Sequence, residues 1–165
     1  MTLMFTVLGV PQPKGSTQSF GYLAKDPTTG VPRTRTTKTG KLVPVIRTAT
    51  KSDNPKVGEW QKLIATAAMI AMANARPRFV RLEGCAVSLQ VTFFLERPKA
   101  LKGRSERHRK RPDFDKLARA VSDGLTGVAW EDDSQVDYAV IRKQYAEPGT
   151  YPRADVVIYP SDANF

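Results

Sequence analysis

The 165-residue chain contains a single cysteine, a single histidine and no apolar run of the roughly 20 residues that a membrane-spanning helix needs. One cysteine excludes an internal disulfide and offers no cysteine cluster for structural zinc. The amino terminus is apolar but lacks the basic region and the small-residue cleavage site of a signal peptide. These absences predict a cytoplasmic protein without a membrane span.

Acidic residues are also scarce, with 16 Asp and Glu against 26 Lys and Arg, so the formal net charge is +10. Such an excess attracts polyanions, among which nucleic acid is the commonest partner of a basic protein. The length, together with a hydrophobic content of 41%, fits one compact domain. Composition therefore predicts a single, nucleoid-associated domain over residues 1–165, although charge alone identifies no activity.

The apolar periodicity predicts a mixture of strands and helices. Alternating apolar residues indicate strands over Leu3–Leu8, Val87–Leu95, Gln135–Tyr145 and Ala154–Tyr159, with the last two forming a hairpin through Pro148 and Gly149. Apolar residues at three-to-four spacing indicate helices over Pro55–Asn74, capped by Asp53 or Asn54, and over Asp113–Thr126, burying Phe114, Leu117, Val121 and Leu125. We therefore expect an α+β fold, a small mixed or antiparallel sheet with two helices packed on one face.

A long segment from Lys14 to about Lys51 is polar, basic and rich in Thr, Gly and Pro, with one possible short strand over Leu42–Ile46. Its cations would suit a flexible arm that folds over a phosphate backbone. A solvated loop of no special role is an equally good interpretation.

Charge changes sign abruptly near Pro112. A basic loop over about residues 97–112 carries eight Lys or Arg against one Glu, whereas Asp113–Asp137 carries seven acids against Lys116 and Arg119. Cations hold a phosphate backbone, while carboxylates repel it unless a divalent metal neutralises them. The juxtaposition predicts metal-dependent chemistry on nucleic acid. The residues predicted to contact DNA are Lys14, Lys102, Arg104, Arg107, Arg109, Lys110 and Arg111.

The acidic segment offers candidate metal ligands at two places. Asp113 is positioned to cap the second helix and Asp115 falls in its first turn, so both could converge on one ion. Asp132 and Asp133 occupy a turn before the next strand, and an antiparallel return would bring one of them alongside the first pair. Carboxylate oxygens are the ligands that Mg²⁺ prefers, and Mn²⁺ accepts them too.

Each of these residues also has a plain explanation. Asp113 could be only a cap, and Asp115, Arg119 and Asp123, spaced by four, could form a row of surface ion pairs. The acids at 131–133 could form an ordinary polar turn. His108 is interpreted as a phosphate contact or a solvated residue rather than a catalytic base.

The residues from Arg111 to Val136, RPDFDKLARAVSDGLTGVAWEDDSQV, resemble the signature of the RusA family of Holliday-junction resolvases. That signature is a Pro-Asp-x-Asp helix start, a lysine four residues on, an Asp-Ala/Gly-Leu helix end and an Asp-Asp-x-Gln-Val turn into a strand. A weaker likeness, to an amino-terminal Gly-x-Pro-x-Pro-Lys, lies at Gly9–Lys14.

The resemblance implies a homodimer that binds four-way junctions by their structure and makes paired nicks using Mg²⁺ or Mn²⁺, as in phage and prophage recombination. The essential acids of the family fall on Asp113, Asp115 and Asp133, with Asp132 adjacent and Asp123 at the matching helix end. These positions are the predicted catalytic and metal-binding residues.

The sequence departs from the family pattern at two positions. Lys116 stands where the family usually has asparagine, and Arg119 stands where it has a functional lysine. Arginine keeps the charge and can bind a phosphate oxygen bidentately, but it does not readily give up a proton. Charge stabilisation therefore survives at Arg119, whereas a proton-donor role would be lost unless Lys116 has taken it over.

The leading hypothesis is hydrolysis of a DNA phosphodiester by metal-activated water, with Asp113, Asp115 and Asp133 as ligands and Lys116 and Arg119 near the phosphate. One alternative is a nuclease of the same fold that prefers flaps, forks or other branched DNA. The other is a non-catalytic basic protein that binds DNA or RNA, with its acids serving only as caps and ion pairs.

Overall fold

A computed structural model describes residues 1–101 and 107–161 of the chain. It divides into two compact units, one formed by Met1–Lys14 with the described residues from Asn54 onward and the other by Gly15–Asp53. Composition and length predicted one domain, and the second unit coincides with the segment for which only a single short strand was expected. In the described residues, no helix is both long and apolar enough to cross a bilayer.

The strands and helices follow one another as β1 (Leu3–Leu8), β2 (Thr17–Leu23), β3 (Thr34–Thr36), β4 (Leu42–Pro44), β5 (Ile46–Ser52), α1 (Val57–Asn74), β6 (Val87–Leu95), α2 (Phe114–Leu125), β7 (Val136–Tyr145) and β8 (Arg153–Pro160). Single helical turns lie at Lys99–Leu101 and Asp133–Gln135. The strands predicted over Leu3–Leu8 and Val87–Leu95 are confirmed with the same bounds.

The first unit contains one mixed sheet with the strand order β1-β8-β6-β7. β8 pairs antiparallel with β1 and β6, and β6 pairs parallel with β7. The predicted hairpin of β7 and β8 is therefore wrong. α2 connects β6 to β7 as a β-α-β crossover, which makes those two strands parallel neighbours. β8 consequently takes the other edge of β6.

Both helices pack on one face of this sheet, which confirms the predicted α+β architecture. Alternate strand residues turn towards the helices and form one apolar core with them. The core includes Leu3, Val7, Trp60, Ile64, Val87, Leu89, Val91, Phe93, Leu117, Val121, Val156 and Ile158. Because strand side chains alternate between faces, this single set fixes which side of the sheet the helices cover.

The two helices lie close together at Gly124, in the last turn of α2. A Cβ atom there would lie 3.1 Å from the carbonyl oxygen of Gln61 and 3.3 Å from Cβ of Ile64. α2 thus packs on α1 through its carboxyl-terminal half. Phe114, at the opposite end of α2, was predicted to be buried, and this is wrong because 60% of its surface is exposed.

The start of α1 is tied to the amino-terminal segment. Its N-cap is Lys56, not the predicted Asp53 or Asn54, and it has no side-chain capping bond. Asn54 instead accepts a hydrogen bond from the Lys56 amide at 3.1 Å and donates to the Pro13 carbonyl at 2.8 Å. The segment before Lys14 is held beside the start of α1 in this way.

In the second unit, β2 pairs antiparallel with β5, and β3 pairs antiparallel with β4. Of these strands the sequence predicted only one, near β4. β3 is exposed along its whole length and has the sequence Thr-Arg-Thr, so it shows none of the apolar alternation by which half-buried strands are recognised.

Candidate active site

The amino terminus of α2 presents two carboxylates that the helix does not use. Asp113 is the N-cap, as predicted, but its side chain accepts no capping hydrogen bond. Asp115 lies exposed in the first turn, and its carboxylate has neither a hydrogen bond nor an ion pair with any described residue. The positive end of the helix dipole favours both charges. Asp113 is therefore the N-cap through its backbone, and its carboxylate makes no capping bond.

Cations lie beside this pair. Lys116 Nζ is 3.9 Å from Asp113 Oδ2, which is a weak, partly exposed ion pair. Arg119 follows one turn after Asp115, is exposed and has no ion pair in the described part of the chain. The predicted row of ion pairs along Asp115, Arg119 and Asp123 is not formed.

Asp123 is engaged elsewhere. Its carboxylate lies 2.6 Å from the ammonium of Lys14 and accepts a hydrogen bond of 3.1 Å from the Gln61 amide. The backbone N–H of Lys14 also donates to the carbonyl of Lys116 at 2.9 Å. Two motifs separated by about a hundred residues in the sequence thus meet along α2, and Asp123 serves to hold them together.

Lys143, near the end of β7, is a residue of this region that the sequence analysis missed. Its ammonium donates to the carbonyl oxygens of Pro112 at 2.7 Å and Lys110 at 2.9 Å. It therefore fixes the chain just before Asp113 and adds a positive charge there. Alternation along the strand places Lys143 on the same face as Ala139, Ile141 and Tyr145, and that face is expected to belong to the core. A lysine on a core face is the sequence feature that could have identified this residue.

The second group of acids lies in the turn Asp133–Gln135. Asp132 accepts from the Ser134 amide at 2.9 Å, and the Gln135 side chain accepts from the Asp132 amide at 3.0 Å, which makes a capping box. Hydrogen bonds from Ser134 lower the pKa of Asp132. Asp133 is exposed, and its carboxylate has no partner among the described residues. Asp132 therefore shapes the turn, while Asp133 remains available.

This turn lies at the opposite end of α2 from Asp113. The Gly127 amide donates to the Trp130 carbonyl at 2.7 Å, which keeps the chain at the carboxyl end of α2 before β7 begins. β7 contacts Pro112, the residue before Asp113, near its own carboxyl end, through Lys143. The 12 residues of α2 span about 18 Å.

The expected antiparallel return is therefore wrong, because β7 runs parallel to β6 and starts at the far end of the helix. One copy of the chain does not bring Asp133 beside Asp113 and Asp115. Consistently, no three Asp, Glu, His or Cys side chains within residues 1–101 and 107–161 gather into a group that could hold a metal ion.

The basic loop is described in part. Lys102 and Arg104, two predicted DNA contacts, lie outside the described residues. Arg107, Arg109, Lys110 and Arg111 are exposed. The cations that the structure describes therefore face solvent immediately before Asp113.

The family model described as Endodeoxyribonuclease RusA matches residues 27–159. The matched range includes α2, the turn at Asp133 and β7, but not the Gly9–Lys14 motif. A search of curated proteins finds no match.

Proposed function

Because the chain belongs to the RusA family of endodeoxyribonucleases, we propose that it cleaves Holliday junctions by Mg²⁺-dependent hydrolysis of the DNA backbone, in paired nicks. The observation that carries this proposal is the pair of exposed carboxylates, Asp113 and Asp115, which make no capping bond at a helix start bordered by Lys116, Arg119 and Lys143. Such an enzyme would act on chromosomal or phage DNA in recombination and repair.

The donor set suits a hard divalent cation. Mg²⁺ usually takes one or two protein carboxylates together with water and substrate phosphate, and Mn²⁺ accepts similar ligands. Asp113 and Asp115 would provide the first two carboxylates. When bound, such an ion orients the scissile phosphate, promotes attack by water and stabilises the leaving oxygen.

Asp133 would join this site from a second copy of the chain. Its carboxylate is exposed and unpaired among the described residues, yet it lies at the other end of α2 from Asp113. In a twofold homodimer every interface contact occurs twice. Asp133 of the partner subunit could therefore complete the site at Asp113 and Asp115 in each half. Two such sites match the two strands that paired nicking must cut.

The three cations near the site would have separate roles. Arg119 would bind an oxygen of the scissile phosphate and stabilise its developing charge. Lys116 carries an ammonium that can give up a proton more readily than a guanidinium can, so it would protonate the leaving oxygen. Lys143 is a positioning residue, because it holds the backbone that leads into Asp113.

A non-catalytic nucleic-acid-binding protein is the less favoured alternative. It would use these acids as caps and ion pairs, whereas Asp113 makes no side-chain cap and Asp115 has no partner in the described structure. A preference for flaps or forks over four-way junctions is an alternative within the nuclease proposal, and a comparison of substrates decides it.

Replacement of Asp115 by asparagine tests the proposal. We expect Asp115→Asn to reduce Mg²⁺-dependent cleavage of a synthetic four-way junction by at least about 100-fold, because a metal ligand is lost. Junction binding should persist or tighten, since a charge that repels phosphate disappears as well. Cleavage and gel-shift assays on junction, flap, fork and linear duplex measure both effects.

Asp53→Asn is the matched control, since Asp53 is an exposed carboxylate of the second unit whose only described hydrogen bond is made by its backbone amide. It should cleave as the wild type does. Full cleavage by Asp115→Asn would contradict the assignment.

A further inference from the structure

The end of β7 and three described residues of the basic loop, Arg97, Arg107 and His108, border a cavity of about 670 Å³ within the first unit, named here the β7 pocket. It is lined by Arg97, Arg107, His108, Arg142, Lys143, Gln144, Tyr145 and Glu147. Four of these side chains are cationic and one is acidic. The charge of the lining therefore favours an anion.

The arginines of the β7 pocket differ in how they are held. Arg97 donates to the carbonyls of Ala146 and Leu101 at 3.3 and 3.4 Å, and its guanidinium lies 5.4 Å from the centre of the Tyr145 ring. Arg107 and Arg142 are exposed and form no ion pair within the described residues. Arg97 is thus held in place by the protein, whereas the guanidinium groups of Arg107 and Arg142 can bind a ligand.

Two polar atoms in the lining are buried without a partner. The His108 and Tyr145 rings pack with their centres 4.6 Å apart. His108 Nδ1 and Tyr145 Oη have no hydrogen bond in the described structure, although only 5% of Tyr145 is exposed. Buried polar groups are rarely left unsatisfied, because each one costs desolvation free energy. An oxygen-rich anion in the pocket would supply the missing acceptors.

We propose that the β7 pocket binds a backbone phosphate of the DNA strand that is cut, and that this phosphate is not the scissile one. Arg107 and Arg142 contact its oxygens, and His108 and Tyr145 donate hydrogen bonds to them. This inference rests on the proposed function for the identity of the strand. Lys143 connects the two regions, because it lines the pocket and donates to the carbonyl of Pro112, the residue before Asp113. A phosphate held there would position the strand for cleavage.

The pKa of His108, the single histidine of the chain, can show whether an anion occupies the β7 pocket. Burial first, and the Lys143 ammonium second, lower the pKa of His108. The Lys110 ammonium also lowers this pKa. A phosphate bound beside the ring would favour the imidazolium form and raise the pKa again. The change is visible as one ring signal in the NMR spectrum of the full chain.

The experiment follows that signal through a pH titration without divalent metal, in chloride, in inorganic phosphate and with a short single-stranded oligodeoxynucleotide. We expect the oligonucleotide to raise the pKa of His108 by about one unit or more relative to chloride. Arg142→Ala should remove most of this rise. Arg78→Ala, an exposed arginine outside the pocket, should leave it intact.

Three results would overturn the inference: a pKa that the oligonucleotide does not change, an equal rise with inorganic phosphate at the same concentration as the oligonucleotide, which would indicate a free-anion site, or an undiminished rise in Arg142→Ala. The measurement needs no cleavage. Failure of the wild type to cut a junction in Mg²⁺ would therefore contradict the proposed function separately.

Discussion

At the scale of single residues, the partner of each carboxylate separates structural acids from available ones. Asp123 is bound by Lys14 and Gln61, and Asp132 closes a capping box. The sequence could identify the acidic segment, because its motif is local. It could not show that Asp123 is engaged, because those partners lie on distant segments and meet it only after α1 and α2 pack together.

The departure at Arg119 leads to a prediction at this scale. We expect Arg119→Gln to lower the single-turnover rate of junction cleavage by about 100-fold, because a cation at the scissile phosphate is lost. Arg119→Lys keeps the charge and is the matched control, so its rate should stay within about tenfold of the wild type. A rate for Arg119→Gln equal to that of the wild type would exclude Arg119 from charge stabilisation.

At the scale of elements, apolar periodicity located the helices and strands of the first unit because each buries one face. It could not give the order of the strands. The neighbours of β8 depend on the crossover through α2, and no local pattern encodes that choice. Periodicity placed Lys143 on the helix-facing side of β7 but could not show its role, because the two carbonyl groups that its ammonium binds lie about thirty residues earlier in the chain.

The contact between α1 and α2 is testable through two glycines. Gly124→Ala should lower the free energy of unfolding by about 1–3 kcal/mol, because its Cβ would meet the backbone of Gln61. Gly58→Ala is the matched control in α1, where a Cβ meets nothing within 4 Å. It should raise stability by up to about 1 kcal/mol through helix propensity.

Urea denaturation of the two variants measures these changes. Equal free-energy changes in Gly124→Ala and Gly58→Ala would contradict a close approach of the helices at Gly124.

At the scale of the whole molecule, the fold separates the acids that the family resemblance groups together. Asp113 and Asp115 lie at one end of α2, and Asp133 follows the other end, about 18 Å away along the helix. The sequence could not predict this separation, because it follows from the parallel pairing of β6 and β7. A homodimer resolves it if each site takes Asp133 from the partner subunit.

The most direct test of this claim is complementation between two inactive variants. Asp115→Asn and Asp133→Asn should each be inactive alone. When they are co-expressed at equal levels, a mixed dimer would have one site with both substitutions and one intact site. About one quarter of all sites would then be intact. Nicking of the junction in Mg²⁺ should therefore return at about one quarter of the wild-type level, as single nicks. If all three acids acted within one copy, every site would carry a substitution. A mixture that remained as inactive as its components would contradict the shared site.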